Sequence, residues 1–223
     1  HSVGEFPAAC IAEVMSLEDG LTLIAERGRL MQSLPQTGGM ASVFADVDVV
    51  QPYLVGHEER LSVAGVNAPG QTVISGDDES LDAVCEKLAA DKVKTRRLTV
   101  SHAFHSPMME PILDSFRKIA SGMSFALPKI PVVSNLSGTV VTEPPDADYW
   151  IRHLREAVRF KDGAESMREL GIDVFVEVGP QPTLSGLLKR TLKDSAKHCF
   201  GSLKKGRSDQ DMFYKALGGL FCA

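Results

Sequence analysis

No run of apolar residues in this chain approaches the roughly 20 needed to cross a bilayer, and its first residues show neither the charged nor the apolar region of a signal peptide. A soluble, cytoplasmic protein with no membrane partner is the expectation. Cysteine is sparse: Cys10, Cys85, Cys199 and Cys222 stand far apart and form no C-x-x-C pair, which argues against a zinc site and against a disulfide framework. No metal is expected, and the thiols read as reduced. There is also no basic face. The 24 Lys and Arg are scattered among 29 Asp and Glu for a net charge of -5, so small molecules and proteins are better partners than nucleic acid. Internal repeats and low-complexity segments are absent. What remains is a 223-residue chain, long enough to bury a proper core as one large domain or two small ones.

His1-Ser2-Val3-Gly4-Glu5 reads as the second half of a nucleophile elbow, in which a glycine two places after the serine lets a strand and a helix pack closely behind a strained turn. Phe6 to Met15 is apolar and rich in alanine. Ser16, with Asp19 three places on, then opens a second helix running to about Ser33. Leu34-Pro-Gln-Thr-Gly-Gly39 is turn chemistry and marks a boundary.

Beyond it the pattern predicts strands at Met40–Ala45, Leu61–Asn67, Gln71–Ser75 and Arg97–Val100, with helices at Val47–Leu54 and Leu81–Ala90. That β-α-β-β-α-β order is the split βαβ, or ferredoxin-like, unit. Helices follow at Pro107–Ala120, Tyr149–Leu154, Gly163–Leu170, Thr183–Leu192 and Asp211–Leu220, with strands at Ile130–Ser134 and Val174–Val178. Strands alternating with helices imply a largely parallel sheet outside the insert. The fold class is therefore α/β, divided as residues 1–37 of a large subdomain, an inserted small subdomain at 38–100, the large subdomain again at 101–205, and a C-terminal helix leading toward a linker at 206–223.

A serine nucleophile needs a base, and two histidines stand together in Ser101-His102-Ala103-Phe104-His105-Ser106-Pro107, where the insert returns to the main domain. Read locally, each candidate has a plainer alternative. Ser2 also fits a helix cap, either histidine also fits a satisfied polar residue at a strand end, and Arg27 also fits a salt bridge to Glu26, Glu13 or another carboxylate.

Five segments together carry a resemblance: His1-Ser-Val-Gly-Glu5, Ala25-Glu-Arg-Gly-Arg-Leu-Met-Gln32, Val66-Asn-Ala-Pro69, Ser101-His-Ala-Phe-His-Ser-Pro-Met-Met109 and Phe175-Val-Glu-Val-Gly-Pro180. In order and over essentially the whole chain they resemble the acyltransferase domain of modular polyketide synthases and, more distantly, the malonyl-CoA:acyl-carrier-protein transacylases. The resemblance implies an α/β-hydrolase-like large subdomain with a ferredoxin-like insertion. It makes Ser2 the acyl-accepting nucleophile and His105 its base, with the backbone N–H of Val3 at the oxyanion and the His153 position supplying the carbonyl that orients the imidazole. Arg27 matches the residue that clamps the free carboxylate of malonate, a planar fork on a planar acid.

His102 and Phe104 match the malonyl-selective form of the motif, and Val3 agrees with it. Phe104 would fill the space beside C2 and exclude a branching methyl. Met31 and Asn67 match pocket-lining positions. The implied substrate is malonyl-CoA, with no resident cofactor. The implied partners are an acyl carrier protein bearing phosphopantetheine, a ketosynthase and other synthase domains. A thioesterase on the same fold, or a fragment that only docks neighbouring domains, are the alternative readings. The Gly-Gln-Gly motif that supplies the second oxyanion donor in the resembled proteins is absent, so these residues are expected to be a piece of a longer polypeptide that aggregates or turns over slowly alone.

Overall fold

The structure, a computed structural model, describes residues 1–223. A 3-10 turn at Ser2–Gly4 runs straight into α1 (Glu5–Ile11), and α2 (Leu17–Gln32) follows. Ser16 caps α2 as its sequence promised: its Oγ accepts the Asp19 N–H at 3.0 Å, and Glu18 and Asp19 place negative charge in the first turn. α1 stops short of Met15 because Glu13 adopts a left-handed φ of 58°, which reverses the chain and turns Val14 and Met15 into the core.

The next six elements form one unit of two layers, a sheet with two helices packed on it: β1 (Gly38–Val43), α3 (Val47–Leu54), β2 (Leu61–Ala68), β3 (Gln71–Asp77), α4 (Asp78–Ala90) and β4 (Thr95–Arg97). The strands pair antiparallel in the order β2-β3-β1-β4, the arrangement of a ferredoxin-like unit. Val50 and Leu54 of α3 and Leu81, Val84 and Leu88 of α4 pack on Ala41, Val43, Leu61 and Ile74 of the sheet. β4 sits earlier than the expected Arg97–Val100, its ladder with β1 ending where Arg97 is held by Asp78 and Asp82.

After a 3-10 turn at Pro107–Met109 come α5 (Glu110–Ala120), α6 (Ala147–Arg155), α7 (Phe160–Glu169), β5 (Val174–Glu177), α8 (Thr183–Leu192), β6 (His198–Gly201) and α9 (Asp209–Phe221). The main core gathers Phe6 and Ala9 of α1, Leu23, Leu30 and Met31 of α2, Phe116 of α5, and Trp150 and Leu154 of α6. The one parallel strand pair is β5 with β6, Val174 opposite His198, and a single parallel bridge joins Gly65 of β2 to Val158. The sequence showed no strand at β6, a short segment that takes its strand character from pairing with β5.

Ile130–Ser134 is not a strand. Val133 makes only an isolated bridge to Val140, while the backbone around it bonds to the end of α1 through Lys129 N–H and Ala12 C=O at 2.8 Å. The facing segment adds only the Ser134 N–H to Thr139 C=O and Val141 N–H to Val132 C=O bonds, at 2.9 and 2.8 Å, so this short apolar run remains an extended loop. One further joint matters for the site: β2 meets the α6–α7 loop, where Val66 N–H reaches Val158 C=O at 2.9 Å and Val158 N–H reaches Ala64 C=O at 3.0 Å. No helix is long and apolar enough to cross a membrane.

Candidate active site

Ser2 has a left-handed φ of 47°, a conformation that non-glycine residues adopt only where the surroundings enforce it. Its Oγ lies 2.7 Å from Nε2 of His105, which arrives on the loop after β4 and is itself at a left-handed φ of 58°. Two contacts hold that histidine. Ser62 of β2 donates its hydroxyl to the His105 carbonyl at 2.9 Å, and His105 Nδ1 donates to the carbonyl of Glu156 at 2.8 Å. A donating Nδ1 leaves Nε2 unprotonated, so it faces the Ser2 hydroxyl as an acceptor. Burial, then the neighbouring His153 and Arg27, push the pKa of His105 down to about 3 against the opposing pull of the Glu156 carbonyl. The imidazole is thus neutral at physiological pH, and this pair can move a proton from Ser2 to His105.

The orienting carbonyl is therefore that of Glu156 and not of His153, three residues earlier. Glu156 is the residue at which α6 ends, and its ψ of 166° turns its carbonyl off the helix axis toward the imidazole. His153 instead buries its side chain beside Glu5, with Nε2 3.4 Å from Oε2.

Arg27, on α2, is 8% exposed, and its Nη2 lies 3.4 Å from Ser2 Oγ. The carboxylates that its sequence context offered are already engaged: Glu26 with Arg29 at 2.6 Å and Glu13 with Lys129 at 2.5 Å. Arg27 has no carboxylate partner, its Nε has no hydrogen bond, and burial lowers its pKa to about 10. The Phe6 ring, 6.0 Å away, is its apolar support.

Ser2, His105 and Arg27 open into one cavity of about 310 Å³, whose walls include Val3, Met40, Asn67, Val73, Leu98 and Phe104. The Val3 N–H stands in the first helical turn, where backbone donors have no intrahelical acceptor. Asn67 Oδ1 is 2.8 Å from His1 Nε2. Two expected lining residues do not reach this space. His102 is buried with Nε2 3.2 Å from the Leu34 carbonyl, behind the ring of Phe104, and Met31 is part of the main core. The face of α2 that carries Arg27 toward Ser2 turns Met31, four residues on, into the helix packing.

Sequence reasoning passed over Ser62, Asn135 and Glu156, and quoted Glu5 only as part of a motif. The side chain of Asn135 accepts the Ser2 N–H at 2.7 Å, and Glu5, 4% exposed, accepts the Asn135 N–H at 2.9 Å. Burial alone would raise the pKa of Glu5, but contacts from His153, the Tyr149 hydroxyl and the Asn135 N–H outweigh it and keep the carboxyl ionised. A buried acid directly after the elbow glycine was the one available signal. No three His, Cys, Asp or Glu side chains converge as a metal site.

A strained serine at a helix start, a neutral histidine against its hydroxyl and an unpaired cation beside both form a site suited to group transfer by nucleophilic attack. The chain belongs to the acyl transferase domain family, whose model matches residues 1–222. It is 42% identical over 224 residues to polyketide synthase GfsA of Streptomyces halstedii, a match covering 99% of this chain and 3% of that protein. The acyltransferase domain from the second module of the salinomycin polyketide synthase superposes with a TM-score of 0.97 at 43% identity, covering 99% of this chain and 52% of that one. The malonyl CoA-acyl carrier protein transacylase of Clostridium perfringens superposes at 0.89 with 26% identity, covering 99% of this chain and 69% of that one. The chain thus spans a few per cent of its synthase relative and about half of the salinomycin domain.

Proposed function

We propose that this acyltransferase domain moves malonyl groups from malonyl-CoA, by way of an ester on Ser2, to the phosphopantetheine thiol of an acyl carrier protein. His105 takes the Ser2 proton as Oγ adds to the thioester carbonyl, and the carbonyl oxygen becomes an oxyanion facing the Val3 N–H. Collapse expels the CoA thiolate, which leaves with the proton held by His105. The carrier thiol then repeats the sequence in reverse roles: His105 accepts its proton, sulfur attacks the malonyl-serine, and Ser2 leaves reprotonated. CoA and phosphopantetheine arrive as parts of the substrates, so the reaction needs no resident cofactor. A carrier protein is the required partner, and a ketosynthase and other synthase domains are its natural neighbours.

The observation that carries this reading is Arg27: a buried guanidinium without a carboxylate, aimed into the same cavity as Ser2 and His105. A malonyl ester on Ser2 would bring its free carboxylate into that cavity, where an acetyl ester has nothing to offer. Phe104, on the cavity wall, restricts the space beside C2, and Val3 borders the same region. Incubation with malonyl-, methylmalonyl- or acetyl-CoA followed by intact-mass and peptide analysis tests the proposal. One malonyl adduct on Ser2, discharged by carrier protein and absent in Ser2→Ala, is expected. An adduct that survives Ser2→Ala, or equal labelling by all three substrates, overturns it.

A further inference from the structure

The left-handed conformation of Ser2 is strained for a non-glycine residue and persists only where neighbouring groups over-determine it. On its C-terminal side α1 does this. On the other side stands the N–H of Ser2, and its acceptor is Oδ1 of Asn135 at 2.7 Å. Asn135 lies on the extended loop outside every helix and strand, so its own position needs a cause.

Five bonds supply one. The Asn135 carbonyl accepts the Arg159 N–H at 2.8 Å, and its N–H is donated to Glu5 Oε2 at 2.9 Å. Just before it, Ser134 Oγ accepts the Leu136 N–H at 3.0 Å and meets the Tyr149 hydroxyl at 2.7 Å. Tyr149 donates in turn to the other oxygen of Glu5. Glu5 is the first residue of α1, three positions after Ser2. Ser2, Asn135 and Glu5 therefore form a ring closed by the chain itself: the helix that follows the nucleophile carries the buried acid that fixes the loop that holds the nucleophile's backbone.

We propose that Asn135 is a positioning residue, whose side-chain carbonyl holds the Ser2 backbone in the conformation that sets Oγ against His105, with Glu5 as its anchor. The engaged Ser2 N–H is then withdrawn from the oxyanion, which falls to the Val3 N–H on the same turn. Without the Asn135 acceptor the elbow relaxes toward ordinary φ and Oγ leaves its line to Nε2, and displacements of about 1 Å at reacting atoms cost about 100-fold in rate. Substrate binding, governed by Arg27 and the cavity walls, is left alone.

This inference rests on Ser2 as the acyl-accepting residue. It is tested by single-turnover malonylation of Ser2 in the full-length protein carrying Asn135→Ala or Asn135→Asp, the second of which keeps an acceptor oxygen in place. The expected result is a 10- to 100-fold slower acylation in Asn135→Ala with KM for malonyl-CoA within threefold, and recovery of at least tenfold of that loss, up to the parent rate, in Asn135→Asp. Acylation of Asn135→Ala within twofold of the parent, a loss that lies in KM, or an Asp variant as slow as the Ala variant overturns it. If Asn135→Ala fails to fold by circular dichroism, a folded Asn135→Asp is read against the parent: acylation within tenfold sustains the proposal and a deeper loss overturns it. A parent protein that takes no label on Ser2 refutes the proposed function instead, so the two failures are distinguishable.

Discussion

Replacing Arg27 with alanine separates the two things a buried arginine does. Burial lowers its pKa from 12.5 to about 10, and at about 1.4 kcal/mol per unit the charged form is held in the empty site at a cost of roughly 3 kcal/mol. The sign follows from the direction: a cation with a depressed pKa is disfavoured in the folded state, so at neutral pH the guanidinium destabilises the substrate-free protein. Arg27→Ala removes that term and loses about 1 to 2 kcal/mol of packing by the aliphatic stem on Phe6 and its neighbours. The melting temperature of the free variant should therefore be unchanged or higher. With malonyl-CoA the outcome reverses, because the carboxylate that would have compensated the charge now enters a cavity without a partner. A loss of about 3 to 4 kcal/mol, or 10²- to 10³-fold in kcat/KM, is expected for malonyl transfer, against less than about tenfold for acetyl transfer. The assay is the ratio of the two kcat/KM values in parent and variant, with scanning calorimetry of both without substrate. Equal losses on both substrates together with a fall in melting temperature would show that Arg27 is structural and refute the reasoning.

With its pKa near 3 instead of 6.5, His105 stays neutral through mild acid, so the acylation rate should be flat from about pH 8 to 5; a sigmoid fall centred between pH 6 and 7 contradicts this. The same shift gives a stability term that is full above pH 6.5 and is lost as the pH falls toward 3, where only the unfolded chain takes up the proton. Urea titrations at pH 7.5 and 5 should show the parent losing about 2 kcal/mol more than His105→Gln. Phe104→Ser should raise the methylmalonyl to malonyl ratio, while His102→Tyr alone changes it little because His102 does not reach the cavity; the reverse ranking in a competition assay would be decisive against the assignment. Glu5→Ala leaves the Tyr149 hydroxyl and the Asn135 N–H without their acceptor at about 1 to 3 kcal/mol each, so chemical denaturation should show a loss of about 3 kcal/mol.

Features decided by a few neighbouring residues were legible in the chain. Ser16 and Asp19 announced the start of α2, and the runs at Leu61–Asn67 and Gln71–Ser75 announced the strands of the β2–β3 hairpin, between which Gly70 takes the left-handed φ of 64°. Alternating apolar residues and two short helices defined the ferredoxin-like unit, because in it each strand pairs through local periodicity and short connections. A short apolar run misled at Ile130–Ser134. A strand is a property of two segments, and there the facing residues Thr139 to Val141 supply one isolated bridge, too short a pairing to extend into a ladder.

The chemistry divides along the same line. Residue types and motif likeness singled out Ser2, His105 and Arg27, since a hydroxyl, an imidazole and a guanidinium carry their function in the side chain. What each does depends on its surroundings, and those came only with tertiary packing. Arg27 was equally compatible with a salt bridge until Arg29 and Lys129 were found on the two nearby acids. The carbonyl that orients His105 belongs to Glu156 and not His153, and every residue has a carbonyl, so no sequence could mark which one a docked loop would present. Asn135 reaches Ser2 across 133 positions of chain and Glu5 reaches Asn135 across 130, distances at which side-chain identity alone carries no signal of contact. Local sequence thus determined the elements and supplied the reactive groups, and the packing of α1, α6 and the extended loop around the elbow decided their geometry, burial and protonation.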